Sequence, residues 1–322
     1  MPRNSYYGRA YNFVIEQPKL LYLDSISTST IVRRIPLHIL QRAFMIYVAA
    51  PQSTVDTIIA EMDQPVASLG QSILDISVVN RDESYCNIIV LHVEGTCKVY
   101  VFGRGHGYNA LLIQVASVYA GKEATSIAAF SFHKKEVHIA VARKFPSSYT
   151  QGSSLLFKLG NRNIELVQQI AAPASDNVVY FQHGPKHYLA FTNAISVHEA
   201  LEPNSVQVYR SCDCLEILFR LHQKIFFDNP KSLEVFTLGR LHELYMIISN
   251  STVVEFYHLQ GESGFVTNTT LVREDIRDVK PFVAHGNLYV AIAQGEIAKS
   301  STVLKAEMKG STVPPRLLTL WP

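Results

Sequence analysis

One short pattern recurs along this chain. Turn residues lead into six residues that are almost all apolar. It reads NIIVLH from Asn87, HIAVAR from His138, YLAFTN from Tyr188, YMIISN from Tyr245 and YVAIAQ from Tyr289. Fainter copies start at Leu21 (LYLDSI) and Phe44 (FMIYVA), which makes seven. The five clear copies begin 51, 50, 57 and 44 residues apart. A period of about 50 residues marks stacked supersecondary units, none of which can bury its apolar face alone.

Two further markers keep step with the hexads. After each one, a Ser or Thr opens a second run of β-branched or aromatic residues: Thr30, Thr54, Thr96, Ser154, Ser205, Thr252 and Thr302. Ahead of the hexad stands an aromatic residue and then a polar, Gly or Pro turn, as at Phe13, Phe130, Phe181, Phe236 and Phe282. All these runs are short, rich in Val, Ile, Tyr and Phe, and bounded by turn residues, so they read as strands. A further run, such as Ile164 to Ile170 or Leu215 to Leu221, completes each repeat. No segment of helical length carries sustained 3.6-residue periodicity with caps.

Four short strands in about 45 to 55 residues are the unit of a β-propeller blade. The expected fold is therefore all-β, a single domain over residues 1–322 that forms a seven-bladed β-propeller. Only Pro36 to Ala43 separate the second run of the first repeat from the next hexad, so a six-bladed ring is the alternative. The hexads are expected to be the innermost strands. The last repeat offers three runs, Tyr289 to Gln294, Thr302 to Lys305 and Arg316 to Leu320, while the N-terminus offers an orphan one, Tyr11 to Glu16. Pairing that N-terminal strand with the last repeat would close the ring and hide two sheet edges.

Several of these stretches resemble the epilepsy-associated (EAR, or EPTP) repeat family. YLAFTNA followed by NSVQVYR, HIAVAR followed by SSLLFKLGNRNIELVQQIAA, and YMIISNSTVVEFYHL carry the resemblance, which is strongest from Asn87 to Lys305. The Asn that ends the family's first strand is present as Asn193 and Asn250. The resemblance implies a seven-bladed propeller in a secreted or cell-surface protein that binds other proteins, with no enzymatic activity.

Composition narrows the classes. Of the 322 residues, 48% are hydrophobic and 17% charged, so the chain is globular and not disordered. The net charge is +2 with the two signs interspersed, which speaks against nucleic acid as a partner. The longest uncharged apolar run, Ala43 to Pro51, is too short to span a bilayer. The N-terminus MPRNSYYGRAYN does not read as a signal peptide, which points to a cytoplasmic protein or to a leader missing from this chain. Cys86, Cys97, Cys212 and Cys214 lack the paired spacing of a zinc site, and their disulfide pairing stays open. Asn250-Ser-Thr and Asn268-Thr-Thr are glycan acceptors if the protein is secreted.

The chemistry-bearing candidates are few. Gly103-Arg-Gly-His-Gly107 precedes a strand-like run and reads as a hairpin loop, because a phosphate loop needs a following helix. His183, His187, His242 and His285 fall in or beside the same turn of successive repeats and read as exposed turn histidines. The hexads offer mainly Ala, Ile, Val and Leu, with Asp24 and His92 as exceptions. Arg273 to Asp278 reads as a solvated loop. No nucleophile elbow, zinc-protease motif or P-loop is present, so no catalytic residue, metal or cofactor is expected. The expected function is protein recognition through one face, acting in adhesion, matrix assembly or receptor–ligand signalling. Tyr149, His198 and Glu199 on the long loops after the hexads are the candidate contacts. The alternatives are a propeller hydrolase with a channel site and an intracellular adaptor. An extracellular location follows from the resemblance and the sequons.

Overall fold

The computed structural model describes residues 13–16, 19–22, 30–35, 44–49, 55–57, 67–70, 73–80, 85–104, 110–132, 136–144, 152–161, 163–172, 174–194, 204–211, 218–238, 243–284, 287–295, 301–307 and 316–321. The first six strands form three antiparallel pairs. These are β1 (Phe13–Glu16) with β2 (Lys19–Tyr22), β3 (Thr30–Ile35) with β4 (Phe44–Ala49), and β5 (Val55–Thr57) with β6 (Ala67–Gly70). Five four-stranded antiparallel sheets follow. The first holds β7 (Ile73–Asn80), β8 (Tyr85–His92), β9 (Thr96–Arg104) and β10 (Ala110–Tyr119). The second holds β11 (Ala124–Phe132), β12 (Glu136–Arg143), β13 (Ser154–Leu159) and β14 (Ile164–Ile170). The third holds β15 (Ser175–His183), β16 (Lys186–Asn193), β17 (Ser205–Ser211) and β18 (Phe219–Phe226). The fourth holds β19 (Ser232–Leu238), β20 (Glu243–Ser249), β21 (Val253–Leu259) and β22 (Phe265–Val272). The fifth holds β23 (Ile276–Ala284), β24 (Asn287–Gln294), β25 (Thr302–Glu307) and β26 (Arg316–Trp321). Two compact units divide the chain, Met1–Tyr180 and Phe181–Pro322. Among the described residues, no helix is long and apolar enough to cross a membrane.

The all-β, four-stranded unit is thus the one the repeat predicts, but its phase differs by one strand. Each hexad is the second strand of its sheet, and the strand with the aromatic marker is the first. Within each unit, first strands lie beside first strands: β7 beside β11, and β19 beside β23. The expectation of hexads as innermost strands is therefore corrected. The hexads are continuous in apolar character because they are covered on both faces, as β16 and β20 show by being buried almost throughout. The fourth strands β14, β18 and β22 are largely exposed, and β14 is open to solvent along most of its length.

The last sheet is also corrected. It has four strands of its own, because β23, carrying Phe282, fills the place that the sequence left vacant. The strand at Phe13–Glu16, expected to close the ring, pairs with β2.

The three markers now have physical roles. The aromatic marker stacks on the first residue of the hexad beside it. Phe130 lies 5.7 Å from His138, Phe181 4.9 Å from Tyr188, Phe236 5.7 Å from Tyr245 and Phe282 5.3 Å from Tyr289, ring centroid to ring centroid. Such pairs add to burial across neighbouring strands.

In three hexads the polar residue at the sixth place holds nearby backbone. Arg143 donates to Ser153 O in the turn that follows, while Asn250 Nδ2 donates to Asp228 O at 2.9 Å and Gln294 Nε2 donates to Glu274 O at 2.8 Å, both in the link that leads into the sheet. The hydroxyl marker works at the same end: Ser154 Oγ donates to Ala172 O, and Thr302 Oγ1 donates to Gln294 Oε1.

Asn250 shows how much this tie does. Its Oδ1 accepts from the backbone N–H of Thr252 and of Val253, both at 2.8 Å, closing an Asx turn. Asn250→Ala is expected to lower stability by about 1–3 kcal/mol, read from the urea midpoint, because buried backbone donors lose their acceptor. An unchanged midpoint would show that the turn holds without it.

Candidate functional site

Four first strands carry a polar residue four places before the aromatic marker, Ser126 and Asn177 in the first unit and Ser232 and Asp278 in the second, and Asp75 holds the matching place on β7, four before Val79. A β-bulge at Leu74, Thr125 and Arg277 sets three of them. Asp75 is 1% exposed, and its Oδ2 accepts from Ser126 Oγ at 2.7 Å and from the Ile127 N–H at 2.9 Å. Asp278 Oδ1 accepts from Ser232 Oγ and from the Val279 N–H, each at 2.9 Å. These carboxylates link neighbouring first strands. Sequence reading looked for such groups on the hexads and so passed over them. Asp278, read as part of a solvated loop, stands on β23.

The opposite ends of the sheets, where the hairpins between first and second and between third and fourth strands lie, present a different chemistry. In the second unit, Lys186 opens β16 and Arg210 lies on β17 as the cross-strand partner of Tyr188. Because residues two apart on a strand share a face, Lys186 and Arg210 stand on the same face of the sheet. Arg220 on β18 is the registered partner of Arg210 and joins them. Glu262 reaches over from the hairpin between β21 and β22. One of its oxygens pairs with Lys186 Nζ, and the other accepts from Arg210 Nη1 at 2.6 Å. The Glu262 side chain is 69% exposed. The two hydrogen bonds, from Lys186 first and then Arg210, hold its carboxyl down at about 2, and the same carboxylate raises the Arg210 guanidinium. His222 sits alongside. Burial, and then the Arg210 charge, keep its imidazole below its ordinary value.

Beneath lies an aromatic floor. Phe181 stacks on Tyr188 and meets Phe265 edge-on at 5.7 Å. Tyr188 is only 2% exposed, so the floor is core and the charges above it are the accessible part.

The sequence candidates fall as follows. Tyr149, His198 and Glu199 lie outside the described residues, as do His242 and His285. His183 is exposed, but His187 is buried within β16, so the exposed-turn reading is corrected there. His92 is likewise buried at 1%. Asn250 is 9% exposed with its Nδ2 already engaged, and a glycan on that nitrogen would have to displace the turn. Asn268 is half-buried on the outer strand β22, at the bulge between its Thr267 and Thr269 registers. The glycine-rich stretch from Gly103 leaves β9 and leads to β10, which pairs antiparallel with it, a strand-to-strand link as expected. Cys97 is buried, and burial pushes its thiol up to about 12.

No family profile matches the chain, and no curated protein does. Among solved structures, the SapL1 lectin in complex with alpha-methyl fucoside matches at a TM-score of 0.55 and 12% identity, over 92% of this chain and 98% of the lectin. An exo-β-1,3-galactanase of Phanerochaete chrysosporium with β-1,3-galactotriose matches at a TM-score of 0.47 and 9% identity, over 76% of this chain. The chain spans 62% of the galactanase's length. At such identities likeness bears on fold alone, and the lectin supports a β-propeller-like arrangement of the four-stranded sheets.

Proposed function

We propose that this chain is a non-enzymatic recognition propeller of a secreted or cell-surface protein, binding a partner protein through the hairpin end of its sheets. Adhesion, matrix assembly and receptor–ligand signalling are the settings that suit such a module. The observation that carries the reading is a charged cluster on the frame of the second unit. Lys186 and Arg210 stand on one sheet face with Glu262 paired to both, at the surface where a partner can reach them. Charged groups displayed on a rigid frame serve recognition. The fold likeness to a lectin, itself a binder, supports the same use. The proposed contact face thus differs from the loops of Tyr149, His198 and Glu199 expected from the sequence, which lie outside the described residues.

The hydrolase alternative would draw on Asp75 and Asp278. Both accept hydrogen bonds from neighbouring hydroxyl and backbone donors, a structural task for the buried Asp75 carboxylate and the partly exposed one of Asp278.

The ring in this proposal has six blades, the first built from β3 to β6, with β1–β2 as an added hairpin. Packing of β4 on β5 and of β3 on β7 supports that count. Removing residues 1–22 tests it: a six-bladed ring keeps its melting temperature, and a ring that needs β1–β2 loses it. Secretion from a leader-bearing version, followed by glycosidase treatment, tests the extracellular location; poor secretion with no mobility shift would favour the cytoplasm.

Quantitative capture from extracellular fluid tests the function. The double variant Lys186→Glu, Arg210→Glu is expected to lose proteins that the parent retains, by tenfold or more on the order expected for close charge pairs. Turnover of a substrate in a broad hydrolase screen, with no partner retained, would refute the recognition reading.

A further inference from the structure

The Lys186–Arg210 pair is occupied in this structure by a carboxylate of the chain itself, and the way that carboxylate is mounted says what the pair is built to take. Glu262 sits on a three-residue turn, Gly261–Ser263, at the tip of the β21–β22 hairpin. The glycines at either side, Gly261 and Gly264, have φ of 53° and 84°, a backbone region open mainly to glycine. The tip holds to its own base by two backbone hydrogen bonds between Gln260 and the Gly264 and Ser263 positions. The base is clamped: Gln223 on β18 donates from Nε2 to Phe265 O and accepts from the Phe265 N–H, both at 2.8 Å. A fixed base with an exposed tip lets Glu262 leave its cations without disturbing either sheet.

The charges it covers are not balanced by it. Arg210 and Arg220 are registered neighbours on adjacent strands, a like-charge pair that is unfavourable unless countered. Glu262 engages Lys186 and Arg210, whereas Arg220 makes no ion pair with a described residue. Among the described residues, three cations in a row across three strands thus face one carboxylate, which leaves room for a ligand that brings two.

We propose that this row is the docking site for an acidic segment of a partner protein, presenting at least two Asp or Glu side chains, and that Glu262 is a built-in competitor which such a segment displaces. The occupant in this structure is itself a protein carboxylate offered on a turn, which favours an acidic peptide over other anions. Exposed ion pairs are individually weak, so the competitor is easily displaced by a ligand that also satisfies Arg220. The inference rests on the recognition reading above and refines it to one site and one chemistry.

Fluorescence anisotropy with a labelled peptide of alternating Glu and Gly, against the same peptide with Gln for Glu, measures it. Glu262→Gln is expected to tighten binding of the Glu peptide by about three- to tenfold, the scale of one or two exposed ion pairs. Arg210→Ala is expected to weaken it about tenfold or more, as loss of a charge-assisted contact does. Lys144→Ala, which removes a cation paired with Asp176 elsewhere, should leave it unchanged. Circular dichroism confirms that each variant is folded. If Glu262→Gln binds no better than the parent, or Arg210→Ala binds as well, the competitor and the site fall. If a heparin-derived oligosaccharide binds in an Arg210-dependent way and the peptide does not, the peptide class is wrong. Partner capture from fluid that survives Arg210→Ala would leave the recognition reading standing while overturning this site.

Discussion

Phe191→Ala should cost about 4 kcal/mol of stability, the usual range for truncating a buried aromatic residue. Phe191 is the fourth residue of its hexad, is fully buried, and meets Tyr209 edge-on at 5.7 Å. Its strand is covered on both faces, so no simple movement of one face can refill the space. The contrast residue is Phe226 on the fourth strand β18, which is 66% exposed. Phe226→Ala is expected to change stability by no more than about 0.5 kcal/mol, as surface substitutions usually do. Urea unfolding of both variants decides the matter. Equal losses would mean that second and fourth strands do not differ in burial as described.

Asp75→Ala should cost about 3 kcal/mol, because three donors, the Ser126 hydroxyl and the N–H groups of Ile76 and Ile127, lose their acceptor at once. The Ser126 hydroxyl and the Ile127 N–H both point at Asp75 Oδ2, across the junction between the first strands of two sheets. Asp75→Asn keeps one acceptor oxygen and should cost less than half as much. A thermal melt reads both changes. An alanine variant as stable as the parent would remove Asp75 from its linking role and reopen the question of what a buried carboxylate does there.

Much of the fold is legible in the residues themselves. The hexads at Asn87, His138, Tyr188, Tyr245 and Tyr289 all fall on second strands of four-stranded sheets. The phase is harder to read. A strand covered on both faces and one at the inner edge of a sheet are both rich in apolar residues, so the most apolar run looks like the innermost. The first strands alternate instead, with Asp75, Ser126 or Asp278 among apolar neighbours, and such alternation reads as an outer strand. Taking each repeat to begin at its hexad also split β23 from β24 and created a vacancy that the chain does not have.

The charged site was not legible, for a geometric reason. Glu262 lies 76 residues from Lys186 and 52 from Arg210. Sheet adjacency brings them together, and no local pattern reports it. One signal does exist. Lys158, Arg210, His258 and Lys305 each register opposite the first residue of a hexad. Their distances from the preceding hydroxyl marker differ, so this recurring base emerges only when the strand register is known.

Recognition at the hairpin end is the central claim, and site-specific photo-crosslinking tests it most directly. Leu218, two places before Arg220 and just ahead of β18, is 42% exposed, and Val272 at the far end of β22 is 70% exposed. A photoreactive residue at position 218 is expected to capture the partner covalently, and one at position 272 is not. Capture from 272 with none from 218 would contradict the account.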